Sequence, residues 1–562
     1  MKSKYIDLME KTLSAYTIEH ILRYFNDVKR DGLTEHGFPR LTSNIGILIA
    51  HGRRRDLLPI FLEMMEFCCK TIPCVKAAND FSVREIVCCY REVEKSGLID
   101  PEVLARWKGY IASIVPEKCY DVYATAPDSP VRNWALFSGV SEYFRQGFVG
   151  CDSSEFIELQ VASQLQWFDE NGMYMDNSHS DIHQPINYDV VPRGLFAMLL
   201  FAGYRGKYYE TVDSILKKAG LLTLNIQNAT GEMGFGGRSN QFLHNEAWLS
   251  LIFEYEAARY KKEGDLVLAG RFKAAAERAL LDIEHRLSKT PISHVKNRFP
   301  IDSKFGCEHY AYFDKYMITV ASFLYTAYMF CDDSIEVGEV DESPMIWSTS
   351  KYFHKTFARA GGYSVEFDTN GDPHYDASGL GSIHKKGAPG AICLSVPFAE
   401  KPSYEIGDYE NRSSFSICPA LKDEAGEWIF ASEPETGYSL IDERIVGERV
   451  ELTFGCTFKD GRQVDFSCVT DENGVALEVI SADGEEVGIA LPIFDFDGEA
   501  HSKINVFLDK ISVEYEGWIA EYLSERISDL QAVFANRNGV YNGYIACGKG
   551  KVSTKIKIYP KD

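Results

Sequence analysis

The sequence predicts an α+β chain in two unlike parts, a helical first part and an antiparallel β-sandwich after it. Three observations carry this. Up to about residue 330, apolar residues recur every three or four positions, the spacing of a helix with one buried face. From about residue 345 the text turns into short, β-branched and aromatic runs that often alternate. Between them lies the acidic stretch "CDDSIEVGEVDESP" (331–344), which reads as a linker. The boundaries are taken as 1–335 for the helical domain, 336–348 for the linker and 349–562 for the β-domain.

The helices come in order as "VLARWKGYIASIV", "VRNWALFSGVSEYFRQGF", "FIELQVASQLQWF", "RGLFAMLLFAGYRG", "EAWLSLIFEYEAARY", "AGRFKAAAERALLDIEHRL" and "DKYMITVASFLYTAYMF". Gly, Asn, Asp and Pro punctuate them. A faint repeat runs through this part. "WFDENGMYMDN" turns at Asn171-Gly172, and "NIQNATGEMGFGG" turns at Gly231, 59 residues on. Each is followed by a polar tract and a new long helix. Helical hairpins at such a period form a closed toroid or a solenoid. A ring of about six hairpins, ~50 residues each, accounts for residues 20–330. The β-part reads as strands at "RAGGYSVEFDTNG", "GAICLSVPF", "RSSFSICPAL", "ERVELTFGCTF", "QVDFSCVTD", "VALEVISADG", "SKINVFLDKISVEYEG" and "KVSTKIKIY". Asn370-Gly371, Asp460-Gly461, Asn473-Gly474 and Asp483-Gly484 are its turns.

Composition narrows the function. A net charge of −23 argues against a nucleic-acid binder. An anionic substrate then needs Arg and Lys concentrated in its cleft. With 31 Tyr and 34 Phe, the chain has rings enough for a cleft on which sugars stack, or simply for a large core. The 14 Cys lack metal-ligand spacing. The vicinal pairs Cys68-Cys69 and Cys88-Cys89 sit in apolar helical text and read as reduced, buried thiols. No run of about 18 apolar residues predicts a membrane span. The N-terminus has no signal-peptide pattern. A cytoplasmic protein is expected, unless a leader was trimmed.

Two polar tracts stand out. One carries His179, His183, Gln184, Asn187, Tyr188 and Arg193. The other, "GRSNQFLHNEAW" (237–248), carries Arg238, Asn240, Gln241, His244, Asn245 and Glu246. Burying such groups without partners costs about 1–3 kcal/mol each. Either they satisfy one another or they await a ligand. On a helix, Asn240 and His244 share a face, as do Gln241 and Asn245. One chemistry uses this inventory: β-elimination on a 4-linked uronate. Arg or amide groups hold the carboxylate and the developing charge. A His or Tyr takes the C5 proton, and another protonates the departing oxygen. Arg238 and Asn240 are assigned to the carboxylate, and Tyr188 and His244 to proton transfer. Asn187 stands beside them, and Glu246 is expected to orient His244.

Here the chain resembles the heparinase II/III-like and alginate-lyase-like polysaccharide lyases. The stretches "GGRSNQFLHNEAW", "EHYAYFDKYM" and "HYDASGLGSIHKKG" carry the resemblance. The family cleaving rhamnosyl–glucuronate linkages is the nearest within that group. Asn187-Tyr188 stands where the Asn-His signature of the alginate-lyase side would fall. The resemblance implies an (α/α)6 toroid, a C-terminal β-sandwich and a cleft between them. It implies a uronate-containing oligosaccharide or polysaccharide as substrate. His183, Arg193, Gln241, Asn245, Glu246, His309, Tyr310, His374, Tyr375 and His384 are the substrate-binding candidates. No metal or cofactor is expected, since amides and Arg can meet the uronate charge. A glycoside hydrolase would need two carboxylates flanking the bond. The candidates are Asp176, Asp181, Asp189, Glu232 and Glu246. A non-catalytic carbohydrate-binding protein is the third reading.

Overall fold

The computed structural model describes residues 1–561. The chain opens with two peripheral helices, α1 (Lys2–Leu13) and α2 (Ile18–Asp31). Helix α2 shows why such helices stay outside. It buries only Ile21, Phe25 and Val28, one stripe at helical spacing, and Thr17 caps its start. Then inner and outer helices alternate. They run α3 (Gly37–Ala50), α4 (Leu58–Thr71), α5 (Asn79–Ser96), α6 (Pro101–Ala112), α7 (Pro116–Cys119), α8 (Trp134–Val149), α9 (Ser154–Gln164) and α10 (Ile186–Phe201). They continue with α11 (Tyr209–Ile226), α12 (His244–Glu263), α13 (Leu266–Leu287) and α14 (Phe313–Phe330).

Helices α3, α5, α8, α10, α12 and α14 form the inner ring. Each packs on the next, and α14 closes on α3. These six are apolar around most of their circumference; in α3 every residue from Gly37 to Ile49 is buried. The helical part is therefore a closed (α/α)6 toroid. The outer helix of each hairpin returns the chain, so the inner helices run parallel and all six N-termini meet at one mouth. The repeat read from Gly172 and Gly231 is present in three dimensions. Both have φ in the left-handed range, 76° and 97°. The antiparallel bridges Phe168–Tyr174 and Gln227–Met233 surround them at the same offset as the two glycines. In each copy a buried acid on the following inner helix accepts the returning backbone N–H. Asp189 takes Tyr174 N at 2.9 Å, and Glu246 takes Met233 N at 3.1 Å.

Helix α14 ends at Phe330, and the first strand already begins at Met345, inside the stretch read as linker. Strands β1 (Met345–Ser348), β2 (Lys355–Ala360), β3 (Tyr363–Asp368) and β4 (Gly379–Lys385) make a four-stranded sheet against the toroid. The rest are β5 (Pro419–Lys422), β6 (Trp428–Phe430), β7 (Gly437–Val446), β8 (Arg449–Thr457), β9 (Gln463–Asp471), β10 (Gly474–Ile480) and β11 (Glu486–Phe496). There follow β12 (Lys503–Val506), β13 (Lys510–Tyr515), β14 (Trp518–Ser524), β15 (Ile527–Asn536), β16 (Gly539–Lys549) and β17 (Lys551–Pro560). They form an eight-stranded sheet, β12-β13-β14-β17-β10-β9-β8-β7, and a five-stranded one, β15-β16-β11-β5-β6. Strict alternation in β8 and β9 sends Val450, Leu452, Phe454, Val464 and Phe466 into the shared core. Strand β11 is buried from Val487 to Phe494, as a central strand must be.

Two local readings are corrected. "GAICLSVPF" contains a single 3-10 turn, Gly390–Ile392, and an extended segment with one bridge, Phe398–Phe415. Asn370-Gly371 opens a longer loop to β4 rather than a tight hairpin. All 14 Cys are free; Cys68, Cys69, Cys88 and Cys89 are buried. No described helix is long and apolar enough to cross a membrane.

Candidate active site

The stretch 237–243 is not helical, because α12 starts only at His244. Its backbone alternates instead, with positive φ at Gly236 (134°), Gly237 (76°), Ser239 (53°) and Gln241 (62°). Gly237 is required there: a Cβ would lie 2.7 Å from Pro185. Such a loop holds only if its polar groups are met. Gly237 N–H donates to Asp376 Oδ2 at 2.9 Å, and Ser239 N–H to Glu308 Oε1 at 2.6 Å. The Ser239 carbonyl accepts from Asn187 Nδ2 at 3.0 Å and Asn245 Nδ2 at 3.2 Å.

Asn240 Nδ2 donates to the Gly234 carbonyl at 3.0 Å, and its Oδ1 accepts from Gln241 Nε2 at 2.8 Å. Asn240, Gln241 and Asn245 thus spend their amides inside the loop, while buried Asn187 is held through its Nδ2 and keeps Oδ1 without a hydrogen-bond partner. The helical facing expected for Asn240 with His244, and Gln241 with Asn245, does not occur.

What the loop presents to solvent is Arg238, 30% exposed, while the neighbouring Ser239 is buried. The Arg238 guanidinium lies 4.1 Å from the centre of the Tyr188 ring and forms an ion pair with buried Asp176. Asp176 also accepts from Asn133 Nδ2 at 2.5 Å. Ser239 Oγ links two phenols, Tyr188 Oη at 3.2 Å and Tyr310 Oη at 2.9 Å. Tyr316 closes the group, its ring 6.2 Å from that of Tyr310. Below them Phe242, Val295, Cys307 and Ala311 form a small apolar floor. Glu308, which fixes Ser239, is held in turn by Arg537 from the β15–β16 turn at 2.6 Å.

Burial raises the Tyr188 phenol above its ordinary value, and Arg238 pulls it back. Burial raises Tyr310 too, and the neighbouring Tyr188 and Glu308 add to the rise. His244 is held down to about 3 by burial, then by the Arg40 charge, so its imidazole is neutral at neutral pH. Its ring, 6% exposed, sits between Phe242 and Tyr316, each 5.3–5.6 Å away. It packs into the aromatic floor, and its buried Nδ1 has no hydrogen-bond partner. Glu246 is fully buried against Lys296 at 2.8 Å, which corrects its expected role as the orienting acid.

The remaining candidates divide. His309 is exposed and edge-on to Tyr310 at 5.3 Å. His183 is half-buried, 6.3 Å from His354. Its charge and that of His374 both act on Asp372. Tyr375 is half-buried, 5.7 Å from Arg537 and within the field of Arg238. Of these, Tyr375 and His309, with Tyr310, join Tyr188 and Arg238, whereas His183 and His374 meet at Asp372. Arg193 joins neither group: it is 1% exposed, forked onto Asp189 and 2.7 Å from Thr223 inside the toroid. His384 does not either. "GLGSIHK" is strand β4, and His384 is buried beside Glu232 and Lys296, on the far side of the loop. Among the described residues no group of three or more His, Cys, Asp or Glu is placed to hold a metal.

Sequence reasoning missed Ser239, Tyr316, Glu308 and Arg537, and named Asp176 only as an acid of the hydrolase alternative. Ser239 lay inside the quoted stretch, passed over as a small residue. Tyr316 and Glu308 lay within "EHYAYFDKYM". Arg537 had no local signal, since its role exists only once the two domains meet. Trp134, 38% exposed and edge-on to Phe81 at 5.0 Å, adds an aromatic wall at the same mouth.

Fold and site together define an (α/α)6 toroid joined to a β-sandwich, with an arginine and linked phenols at the toroid mouth. Solved structures to which the chain is similar include polysaccharide lyases. A heparinase III (BT4657 gene product) is 10% identical and aligns over 93% of this chain and 78% of its own, with a TM-score of 0.48. A heparan sulfate lyase HepC mutant from Pedobacter heparinus is 8% identical over 94% and 76%, with a TM-score of 0.47. A chondroitin AC lyase mutant from Streptomyces coelicolor A3 is 10% identical over 98% and 82%, also at 0.47. No protein-family model and no curated protein matches the sequence. At such identities and scores, function rests on the geometry of the site itself.

Proposed function

We propose that the chain is a lyase that cleaves a 4-linked uronate glycosidic bond by β-elimination. The observation that carries this is the Tyr188–Ser239–Tyr310 hydroxyl chain beside a partly exposed Arg238. Arg238 takes the uronate carboxylate, the part given to Asn240 having no free amide to perform it. Neutralising that carboxylate makes the C5 proton acidic enough to remove.

The two phenols differ in the way the reaction needs. Tyr188 has a guanidinium over its ring to favour the phenolate, so it takes the C5 proton. Tyr310 holds its proton more firmly and gives it to O4 as the C4–O4 bond breaks. The electron pair of the C5–H bond becomes the C4–C5 double bond, and the pair of the broken bond leaves with O4. Ser239 then passes a proton from Tyr188 to Tyr310 and restores both. The N-termini of six inner helices at the same mouth favour an anion there, against a net charge of −23. His183, His309, His374, Tyr375 and Trp134 supply the walls.

The hydrolase alternative needs two free carboxylates and finds less support, since of its five candidates Asp176, Asp189, Glu232 and Glu246 are buried ion-pair members and Asp181 alone is exposed. The test is incubation with a panel of uronate oligosaccharides, reading ultraviolet absorbance of the new double bond conjugated to the carboxylate. New reducing ends without absorbance mean hydrolysis instead. Because Tyr188 must lose its proton and burial holds that proton on, kcat/KM should climb as pH rises from 6 to 9. A profile that falls over that range removes Tyr188 from the role of base.

A further inference from the structure

A second cavity opens on the seam between α13 and the β-domain, behind the catalytic loop. It encloses ≈ 490 Å³, within the ~300–1,000 Å³ range of small-ligand sites. Its lining reverses the charge of the chain. Six Lys or Arg side chains meet four Asp or Glu, in a protein with 59 basic and 82 acidic residues. Four of those cations are neutralised in place: Arg286 and Lys296 on Glu232, Lys289 on Glu516 and Arg298 on Asp497. Lys386, at the rim, reaches Glu342.

Arg278 is the exception. Its guanidinium donates to the Asn228 carbonyl and forms no ion pair among the described residues. It stands at the junction of this cavity with a narrower neighbouring one that contains Arg359. Arg359 donates to the Ser343 carbonyl at 3.3 Å and lies near enough for the two guanidiniums to repel. Burial, and then that repulsion, push Arg278 down to about 10. Glu342 acts on both guanidiniums and Asp341 on Arg359, but Glu342 is paired with Lys386 and Asp341 with Arg271, so four cations share two carboxylates and leave room for a further anion. The other walls suit a hydroxylated ring: the half-buried indole of Trp518 offers a face, and Ser293 and Thr230 offer hydroxyls.

We propose that this seam cavity is a second saccharide site, for a uronate-bearing mono- or disaccharide anchored on Arg278. The ligand class rests on the lyase reading; the site itself rests on the cavity and its unpaired arginine. The cavity lies behind the loop whose front carries Arg238. Asn538 joins the two sides, lining the cavity while donating to Gln241 Oε1 at 3.0 Å.

The experiment is calorimetric titration of the full chain with D-glucuronate, with D-glucose and sodium sulfate as controls. The parent should bind glucuronate better than either control, and Arg238→Ala, which removes only the front cleft's carboxylate partner, should keep the binding that Arg278 supplies. Arg278→Met should weaken binding about tenfold or more, with Arg278→Lys between. Elimination by Arg278→Met on a short substrate should be unchanged. Binding lost in Arg238→Ala but kept in Arg278→Met assigns the ligand to the front cleft and overturns the proposal. So does a parent that binds no glucuronate, whatever the elimination assay gives, and so does sulfate that binds as well as glucuronate. Binding that follows Arg278 in a chain that cleaves no uronate sustains the site and removes the lyase reading alone.

Discussion

Ser239 and Asn240 are neighbours with opposite fates, and the difference is testable. Ser239 turns its hydroxyl to two phenols at the cleft, while Asn240 turns inward to the Gly234 carbonyl. Tyr188→Phe should cut turnover about 10²–10³-fold with the melting temperature little changed. Arg238→Ala should cut turnover by a similar order and also lower the melting temperature, because it strands the buried Asp176 carboxylate. Asn240→Ala should do the reverse of Tyr188→Phe, losing about 1–3 kcal/mol of stability while the folded fraction keeps much of its activity. Turnover and melting temperature measured on all three variants decide it.

His384 gives a second residue-scale expectation. Burial holds its imidazole down to about 4, against about 6.5 in the unfolded chain. The folded state refuses a proton that the unfolded state takes up. The stabilisation is therefore complete above 6.5 and is lost as pH falls toward 4. Between pH 7.5 and 5.5 that loss is about 1 kcal/mol. His384→Asn should lose correspondingly less on the same descent, read from melting at both pH values. An identical descent in parent and variant refutes it.

The sequence stretch that crowds six polar side chains was legible as special, but its meaning was not. Spacing alone predicts a helix and hence shared faces. The glycine pair and the left-handed Ser239 and Gln241 instead make a loop, and the amides are consumed inside it. Arg238 reaches out of the loop to the Tyr188 ring, and Ser239 joins that phenol to Tyr310.

At the scale of elements, the ring depends on close approach. Gly194 on α10 faces α12, where an added Cβ would lie 2.4 Å from Trp248 Cζ3 and 2.9 Å from Leu251 Cδ1. Trp248 is itself pinned, 3.8 Å from Phe323 of α14. Gly194→Ala sets two effects against each other: about 1 kcal/mol gained in helix propensity, and about 1–3 kcal/mol lost to overpacking. At 2.4 Å from a fixed ring the second wins. A denaturant melt should show a net loss, with activity per folded molecule near normal; a gain would mean the ring yields.

The helices themselves were readable because apolar spacing survives burial. The strands were less so. Strand β7 exposes most of its length and β11 hides nearly all of its own, so neither gives the half-buried alternation that marks β8 and β9. "GAICLSVPF" failed in the opposite way, being apolar because it is buried without being paired.

For the whole molecule, the seam between toroid and sandwich is part of the site. Arg537 reaches from the β-domain to Glu308, both 1% exposed, and Glu308 fixes Ser239. Arg537→Met should leave a buried carboxylate unpaired and cost about 3–5 kcal/mol. The double change Arg537→Met with Glu308→Gln should recover much of that in a denaturant melt. A double variant no more stable than the single one would show that Arg537 works through packing alone.

The catalytic loop is tied at two amides, Gly237 to Asp376 of the β-domain and Ser239 to the Glu308 that Arg537 holds. It belongs to neither domain alone. Spreading the domains to let a product out would therefore dismantle the cleft at every turnover. On the lyase reading proposed above, substrate and product would come and go through the mouth while the seam stays shut.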